Sequence, residues 1–301
     1  MPFQSVQMRL LQLKTVLVAD DLVATSQSAL RTAPALRRGS GASLHVAHVA
    51  PGDTGIAARG GIRAEFLQAI EESTARARVG TEYTPHVLAG SVADAIGTLA
   101  DGISADVIVT GRRGSGGVPM DRPLGGTAFE IICRSLVPCL AVSEPMTIPL
   151  KHVLVAIDYS EASRGALVLG LSWASALRFR EGGPPLLTAL HVHSDDASAD
   201  RARWKREVDH ELDVLRRAAG DWAGVEVTGV MIPAEDVVAT IAQQAASMNV
   251  QLLVLGTRGA NANARGGLGS VSAAVLGRVQ TPVLLVPPAV WRDYARDMDY
   301  L

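Results

Sequence analysis

The chain contains the same pattern twice. Lys14-Thr15-Val16-Leu17-Val18-Ala19-Asp20-Asp21 returns as Lys151-His152-Val153-Leu154-Val155-Ala156-Ile157-Asp158, and the match holds without a gap at an offset of 137 as far as Ala29-Leu30 and Ala166-Leu167. Leu124-Gly125-Gly126-Thr127 through Val137-Pro138-Cys139 lies opposite Leu268-Gly269-Ser270-Val271 through Thr281-Pro282-Val283, here at an offset of 144. Between these blocks, Val107-Ile108-Val109-Thr110-Gly111 answers Leu252-Leu253-Val254-Leu255-Gly256 at 145. Offsets that drift by a few residues mean small loop insertions inside one shared architecture. The 301 residues therefore read as two like domains in tandem, 1–147 and 148–301, joined near 145–149.

Each half alternates strand-like and helix-like segments. A short β-branched run at 16–21 precedes sequence with helical spacing, and second strands follow at 45–49 and 187–192. Residues 65–78 and 203–219 read as charged amphipathic helices. Strands near 85–88 and 225–231 come next, then helices at 93–103 and 236–248, then uninterrupted apolar strands ending at Gly111 and Gly256. Beyond a Gly-rich loop, a further helix leads to last strands at 139–142 and 283–286. Continuous apolar runs mark strands buried on both faces, as in a parallel sheet covered by helices. The expected fold is a five-stranded α/β sandwich, built twice.

Composition removes several function classes. Lys and Arg total 28 against 30 Asp and Glu, which lacks the basic excess that phosphate backbones demand. The lysines are Lys14, Lys151 and Lys205, and none follows a glycine, so a Walker-type loop is excluded. No apolar run reaches the ~20 residues needed to span a bilayer. Residues 1–21 show no long apolar stretch with a cleavage site, so the expected location is cytoplasmic. Cys133 and Cys139 lack metal-ligand spacing and read as packing residues.

The strand ends of the second half carry the chemistry. In open α/β sheets ligands bind beyond the carboxyl ends of the strands. Asp158 closes the first strand there, and Gly256 opens the loop that runs to Ser270. Glycines allow close backbone approach, while the next helix's first amides and the Ser270 hydroxyl offer donors to an anion. A carboxylate across the cleft suits ribose hydroxyls. Phosphate at one end and sugar at the other describe a nucleotide.

The spacing Gly256-x2-Gly259-x9-Gly269-Ser270 resembles the nucleotide-binding pattern of the universal stress protein (UspA-like) family. Leu190-His191-Val192 and the strand 282–286 are similar to further landmarks of that family, and the resemblance covers about 13–144 and 149–288. It implies strand order 3-2-1-4-5 in each half and domains paired through their last strands, here within the chain as a pseudo-dimer or between two chains as a homodimer. It further implies ATP, with magnesium, as ligand. Asp158 and Val192 would take adenosine, while Gly256, Gly259, Gly269 and Ser270 would hold phosphates. In the first half the corresponding residues are Asp21, Val49, Gly111, Gly114 and Gly125. There the pattern departs: one extra residue precedes Gly125, Gly126 stands at the serine position, and Asp121, Pro119 and Pro123 occupy the loop. Arg112, Arg113 and Arg122 could offset the loss electrostatically.

Blander roles stand beside these. Asp158 or Ser160 could cap the following helix, and the Gly/Asn/Ala loop could be a plain surface connection. His191 and His193, with Asp195 and Asp196 beyond, read as satisfied or solvated histidines rather than metal ligands. The C-terminal aromatics, Trp291 to Tyr300, pack on the body or on a partner subunit. No Gly-x-Ser-x-Gly elbow, Gly-x-Gly-x-x-Gly or Ser-Gly-Gly-x-Asp-Ser loop occurs. The expected function is thus ATP binding without catalysis, occupancy modulating assembly or partner binding in a stress response. The alternatives are a slow ATPase or nucleotidyl transferase, with no catalytic residue to name, and a nucleotide-free interaction module.

Overall fold

The computed structural model describes residues 11–23, 27–50, 60–112, 124–178, 183–193, 224–259 and 267–299, together with 206, 209 and 210. The first half runs β1 (Thr15–Ala19), α1 (Gln27–Ser40), β2 (Ser43–Ala50), α2 (Gly60–Ala77), β3 (Thr84–Ala89), α3 (Val92–Gly102), β4 (Val107–Gly111), α4 (Gly126–Arg134) and β5 (Cys139–Val142). The second runs β6 (His152–Ala156), α5 (Glu161–Ala176), β7 (Leu186–His193), β8 (Glu226–Pro233), α6 (Val237–Ser247), β9 (Leu252–Gly256), α7 (Ser270–Arg278), β10 (Val283–Val286) and a closing helix α8 (Pro288–Asp299). The helix expected at 203–219 falls almost wholly outside the described residues.

The strands form one 10-stranded sheet in the order β3-β2-β1-β4-β5-β10-β9-β6-β7-β8. Each half is parallel with order 3-2-1-4-5, as expected. The two halves meet where β5 pairs antiparallel with β10, in the register Val283↔Ala141, Leu284↔Leu140 and Leu285↔Cys139. Leu140 and Leu284 are repeat-equivalent residues, so the central pair lies on a pseudo-twofold axis, and the contact is self-complementary.

Alternation along the strands sends side chains into two cores. Val16, Val18, Leu140, Val153, Val155 and Leu284 belong to one, which also takes residues of α1, α5 and Trp173. Leu17, Ile108, Cys139, Leu154, Leu253 and Leu285 belong to the other, with residues of α3, α4, α6 and α7. Both cores run unbroken through the two halves. Helix α5 lies so near its strands that a Cβ on Gly170 would come within 2.9 Å of Val155 Cγ2. The connection between the halves is held from both sides. The Met146 amide donates to Thr32 Oγ1 (3.0 Å), and the Leu150 amide to the Leu177 carbonyl (2.8 Å).

Helix α8 settles where the tail packs. It lies against α5, with Tyr294 7% exposed, the Arg164 guanidinium 5.7 Å from the centre of a Trp291 ring, and Arg292 3.4 Å from Glu161.

Because Leu140 and Leu284 are both fully buried at the junction, truncating either is expected to cost about 2–5 kcal/mol of unfolding free energy. Leu140→Ala and Leu284→Ala together should cost less than the sum of the single changes, because the two side chains share one contact. Chemical denaturation checks this; strict additivity would overturn the description of the junction.

Candidate functional site

The two aspartates do not close their strands as expected. Strands β1 and β6 end at Ala19 and Ala156, and Asp21 and Asp158 stand two residues beyond, inside a turn. The residues that follow them, Leu22 and Tyr159, take φ of 62° and 64°, a left-handed conformation that bulky side chains adopt at a cost of about 1–3 kcal/mol. The same turn, in equivalent places, redirects the chain toward the next helix and swings the carboxylate out over the strand ends. A histidine holds each turn from the neighbouring strand. His48 Nδ1 lies 2.9 Å from the Asp20 carbonyl, and His191 Nδ1 lies 2.8 Å from the Ile157 carbonyl. Burial pulls the His191 pKa below its ordinary value, and its bond to the Ile157 carbonyl partly offsets this. His191 is thus a satisfied histidine, as its sequence context suggests, and the equivalence of His48 and His191 in the repeat is the signal for their shared task.

In the second half Ser160, not Asp158, caps α5: its hydroxyl accepts from the Ser163 amide (3.2 Å). Asp158 Oδ1 in turn accepts from the Ser160 amide (3.1 Å) and hydroxyl (2.6 Å). The carboxylate is thereby fixed while remaining exposed. Its Oδ2 lies against Gly259, where a Cβ would sit 2.7 Å away. Gly256, the last residue of β9, meets the first turn of α5 as closely: a Cβ there would come within 2.8 Å of Ala162 Cβ. At Gly256 the neighbours include the backbone of Ala162 and Ser163, so only glycine fits; at Gly259 a side chain would push the Asp158 carboxylate aside.

The two ends of the glycine loop are tied together. The Gly269 amide donates to the Thr257 carbonyl (2.7 Å), the Thr257 amide to the Val286 carbonyl (2.9 Å), and Ser272 Oγ to the Gly256 carbonyl (2.7 Å). Helix α7 begins at Ser270, and its N-cap Gly269 supplies no side-chain acceptor, whereas α5 and α6 are capped by Ser160 and Asp236. The first amides of α7 therefore face the loop without a cap, where the helix dipole favours an anion. Val192, half-buried near the end of β7, packs toward the same core as Leu268 of the loop. The structure thus gathers Asp158, Gly256, Gly259, Gly269 and Ser270 beyond the carboxyl ends of the interior strands β6 and β9, with Val192 on the adjoining strand. Loop residues 260–266 lie outside the described residues.

The first half keeps the frame and loses part of the furniture. The Gly125 amide donates to the Arg112 carbonyl (2.8 Å) and the Arg112 amide to the Val142 carbonyl (3.0 Å), matching the two main-chain bonds of the second half, while Ala128 stands where Ser272 makes the third. Asp21 Oδ1 accepts from the Val23 amide (3.1 Å), Val49 is half-buried, and Gly111 ends β4. Gly114, Arg113, Asp121, Arg122, Pro119 and Pro123 lie outside the described residues. Arg112 requires a correction. Its guanidinium does not serve the first half's loop. It crosses to the second half, where Nη1 donates to the carbonyls of Leu276 (3.2 Å) and Val279, and Nη2 to that of Thr281 (3.0 Å). Arg112 is 4% exposed, and burial lowers its pKa to about 10, leaving it charged at neutral pH. The reason is electrostatic: the carbonyls ending α7 concentrate negative potential beside the junction.

The reverse contact is milder. Burial raises the Cys133 thiol on α4, and the Leu268 main chain and Arg258 of the opposite loop partly offset this. Cys139 is pushed up to about 12 by complete burial, so both thiols act as packing groups. Among the described residues no group of three His, Cys, Asp or Glu gathers as a metal set, and no helix is long and apolar enough to cross a membrane.

The sequence model of the Universal stress protein family matches residues 12–143 and again 149–287. Two solved structures of similar fold span nearly the whole chain. A universal stress protein from Archaeoglobus fulgidus DSM 4304 is 20% identical over 92% of this chain and 97% of its own, with a TM-score of 0.61. A functionally unknown protein from Pseudomonas aeruginosa PAO1 is 13% identical over 96% and 98%, with a TM-score of 0.59. A universal stress protein solved in complex with cAMP is 26% identical over 44% of this chain and 97% of its own, with a TM-score of 0.36. Among curated proteins none matches.

One residue of the turn separates the halves electrostatically. Asp20, whose repeat equivalent is Ile157, is 4% exposed, and burial raises its pKa; hydrogen bonds from Ser73 and the Leu22 amide, and nearby His48, work against this, while Asp21 adds to it. A carboxyl with a raised folded-state pKa binds its proton more readily folded than unfolded. Its contribution is complete below the unfolded value and is lost as pH rises through the folded one. Asp20→Asn, which keeps an oxygen for the Leu22 amide, is expected to raise the melting temperature most at about pH 7 and to lose that gain toward about pH 4. Thermal melts across this range check it; a gain independent of pH would contradict burial as the cause.

Proposed function

The chain belongs to the universal stress protein family, and on that premise we propose that it binds one adenine nucleotide, ATP with its magnesium, in the second half. The observation that carries this reading is the contact of Asp158 Oδ2 with Gly259, which sets a carboxylate and a bare backbone side by side beyond the carboxyl ends of β6 and β9. Asp158, pre-oriented by Ser160, would accept hydrogen bonds from the ribose hydroxyls, and Val192 would line the nucleoside side. The uncapped first turn of α7 and the Ser270 hydroxyl would receive the phosphates. Gly256, Gly259 and Gly269 would keep the loop's backbone within reach of them.

Occupancy, not turnover, is the proposed output. Residues 256–270 contain neither an acid nor a histidine, so the loop has no general base to activate water. Binding would instead engage the loop ends and the start of α7, and thereby modulate assembly or partner binding in a stress response. The first half lacks the serine hydroxyl at Gly126 and has sent Arg112 elsewhere, which supports one nucleotide per chain.

Calorimetric titration with Mg-ATP is expected to give saturable binding at one site per chain. Gly259→Asp, which sets a carboxylate beside the incoming phosphates and displaces Asp158, should weaken it at least about 100-fold, since juxtaposed like charges cost several kcal/mol. Equal affinity in that variant would overturn the assignment, two sites per chain would restore the first half as a binder, and sustained ADP release would replace binding with catalysis.

A further inference from the structure

Helix α7 has two ends that matter. Its N-terminus carries Gly269 and Ser270 of the glycine loop; near its C-terminus the Leu276 carbonyl, with those of Val279 and Thr281 just beyond, is held by Arg112 from the other half. The helix is 9 residues long, so the two ends stand only about 13 Å apart along a rigid rod. Arg112 is also held on its own side. Its amide and carbonyl bind Val142 and Gly125, so the residue is pinned by β5 and by the N-cap of α4. A displacement of the guanidinium anchor would therefore move the whole of α7 against the sheet, and with it the amides at the loop.

We infer that Arg112 is a positioning residue for the second half's phosphate cradle, acting across the domain junction through α7. The inference rests on the nucleotide reading above for its ligand, but not for its geometry. Several features mark the contact as a built one. The guanidinium is buried, three carbonyls converge on its two terminal nitrogens, and the equivalent residue of the second half, Thr257, makes no reciprocal clamp among the described residues. A plain packing arginine would not collect the carbonyls at the end of one helix and on the strand approach that follows. Breaking this set leaves the buried Leu276 and Val279 carbonyls without these donors, and the end of α7 must shift or fray to reach water.

The experiment compares binding of Mg-ATP with binding of adenosine, which has no phosphates, in the full chain. Arg112→Met is expected to lower ATP affinity about tenfold, within the usual range for coupling between sites, while adenosine affinity stays within about twofold. Arg112→Lys, which keeps the charge, should recover part of the loss. Leu140→Ala serves as a control that weakens the junction without touching α7. A uniform fall for both ligands, an unchanged ratio, or an equal change of ratio in Leu140→Ala would overturn the inference. Amide hydrogen exchange at 273–276 supplies a readout that needs no ligand: about tenfold faster exchange is expected in Arg112→Met than in Leu140→Ala. If the parent chain binds neither ligand, the nucleotide reading fails by itself, and the exchange comparison still decides the role of Arg112, equal rates rejecting it.

Discussion

Where β5 meets β10, two short strands that would each be an open sheet edge exchange main-chain hydrogen bonds across the Leu140–Leu284 pair. An unpaired edge of four apolar residues would invite association with any other chain. Pairing removes that hazard for both halves at once, and the covalent link makes the partner permanently available. The edges that remain are of another kind. Strand β3 carries Pro85, and β8 has no buried residue and ends on Pro233, features that disfavour further strand addition. One interaction thus yields a continuous sheet, two cores that ignore the domain boundary, and a junction against which both glycine loops are set.

What could be read from the sequence was whatever depended on local pattern. The buried strands 139–142 and 283–286 and the helix read at 236–248 are written in runs of apolar residues and in helical spacing; that Asp236 caps this helix instead of opening it is seen in the structure. The turn at Asp158 was less legible. A left-handed residue at Tyr159 follows from no propensity; it is imposed by the need to pass from β6 into α5 within four residues, and by the histidine that grips the Ile157 carbonyl from the next strand. The sequence pattern sets Asp158 at the end of the strand, whereas it stands two residues beyond β6.

Arg112 marks the limit more sharply. Next to Gly111, in a loop equivalent to the proposed phosphate loop, a basic residue invites assignment to an anion. Its actual partners lie 164 to 169 residues away and are main-chain carbonyls, which carry no signature in the sequence. Only the position of α7 relative to the junction reveals them. The departure from the repeat was visible, arginine opposite threonine; its meaning was tertiary.

That departure is informative because of symmetry. In a homodimer of identical chains, a substitution at this position appears on both sides of the axis, so both loops change together. In a fused tandem the two sides are independent. Arg112 can enter the junction from the first half while Thr257 stays small and buried on the second, preserving a loop with Ser270 at its end. Asp20 facing Ile157, and Gly126 facing Ser270, follow the same division. On the nucleotide reading, the first half supplies support and the second supplies recognition, a separation of tasks that no symmetric pair of single domains could hold. The fusion therefore does more than secure the contact: it permits the two faces of one interface to become chemically different.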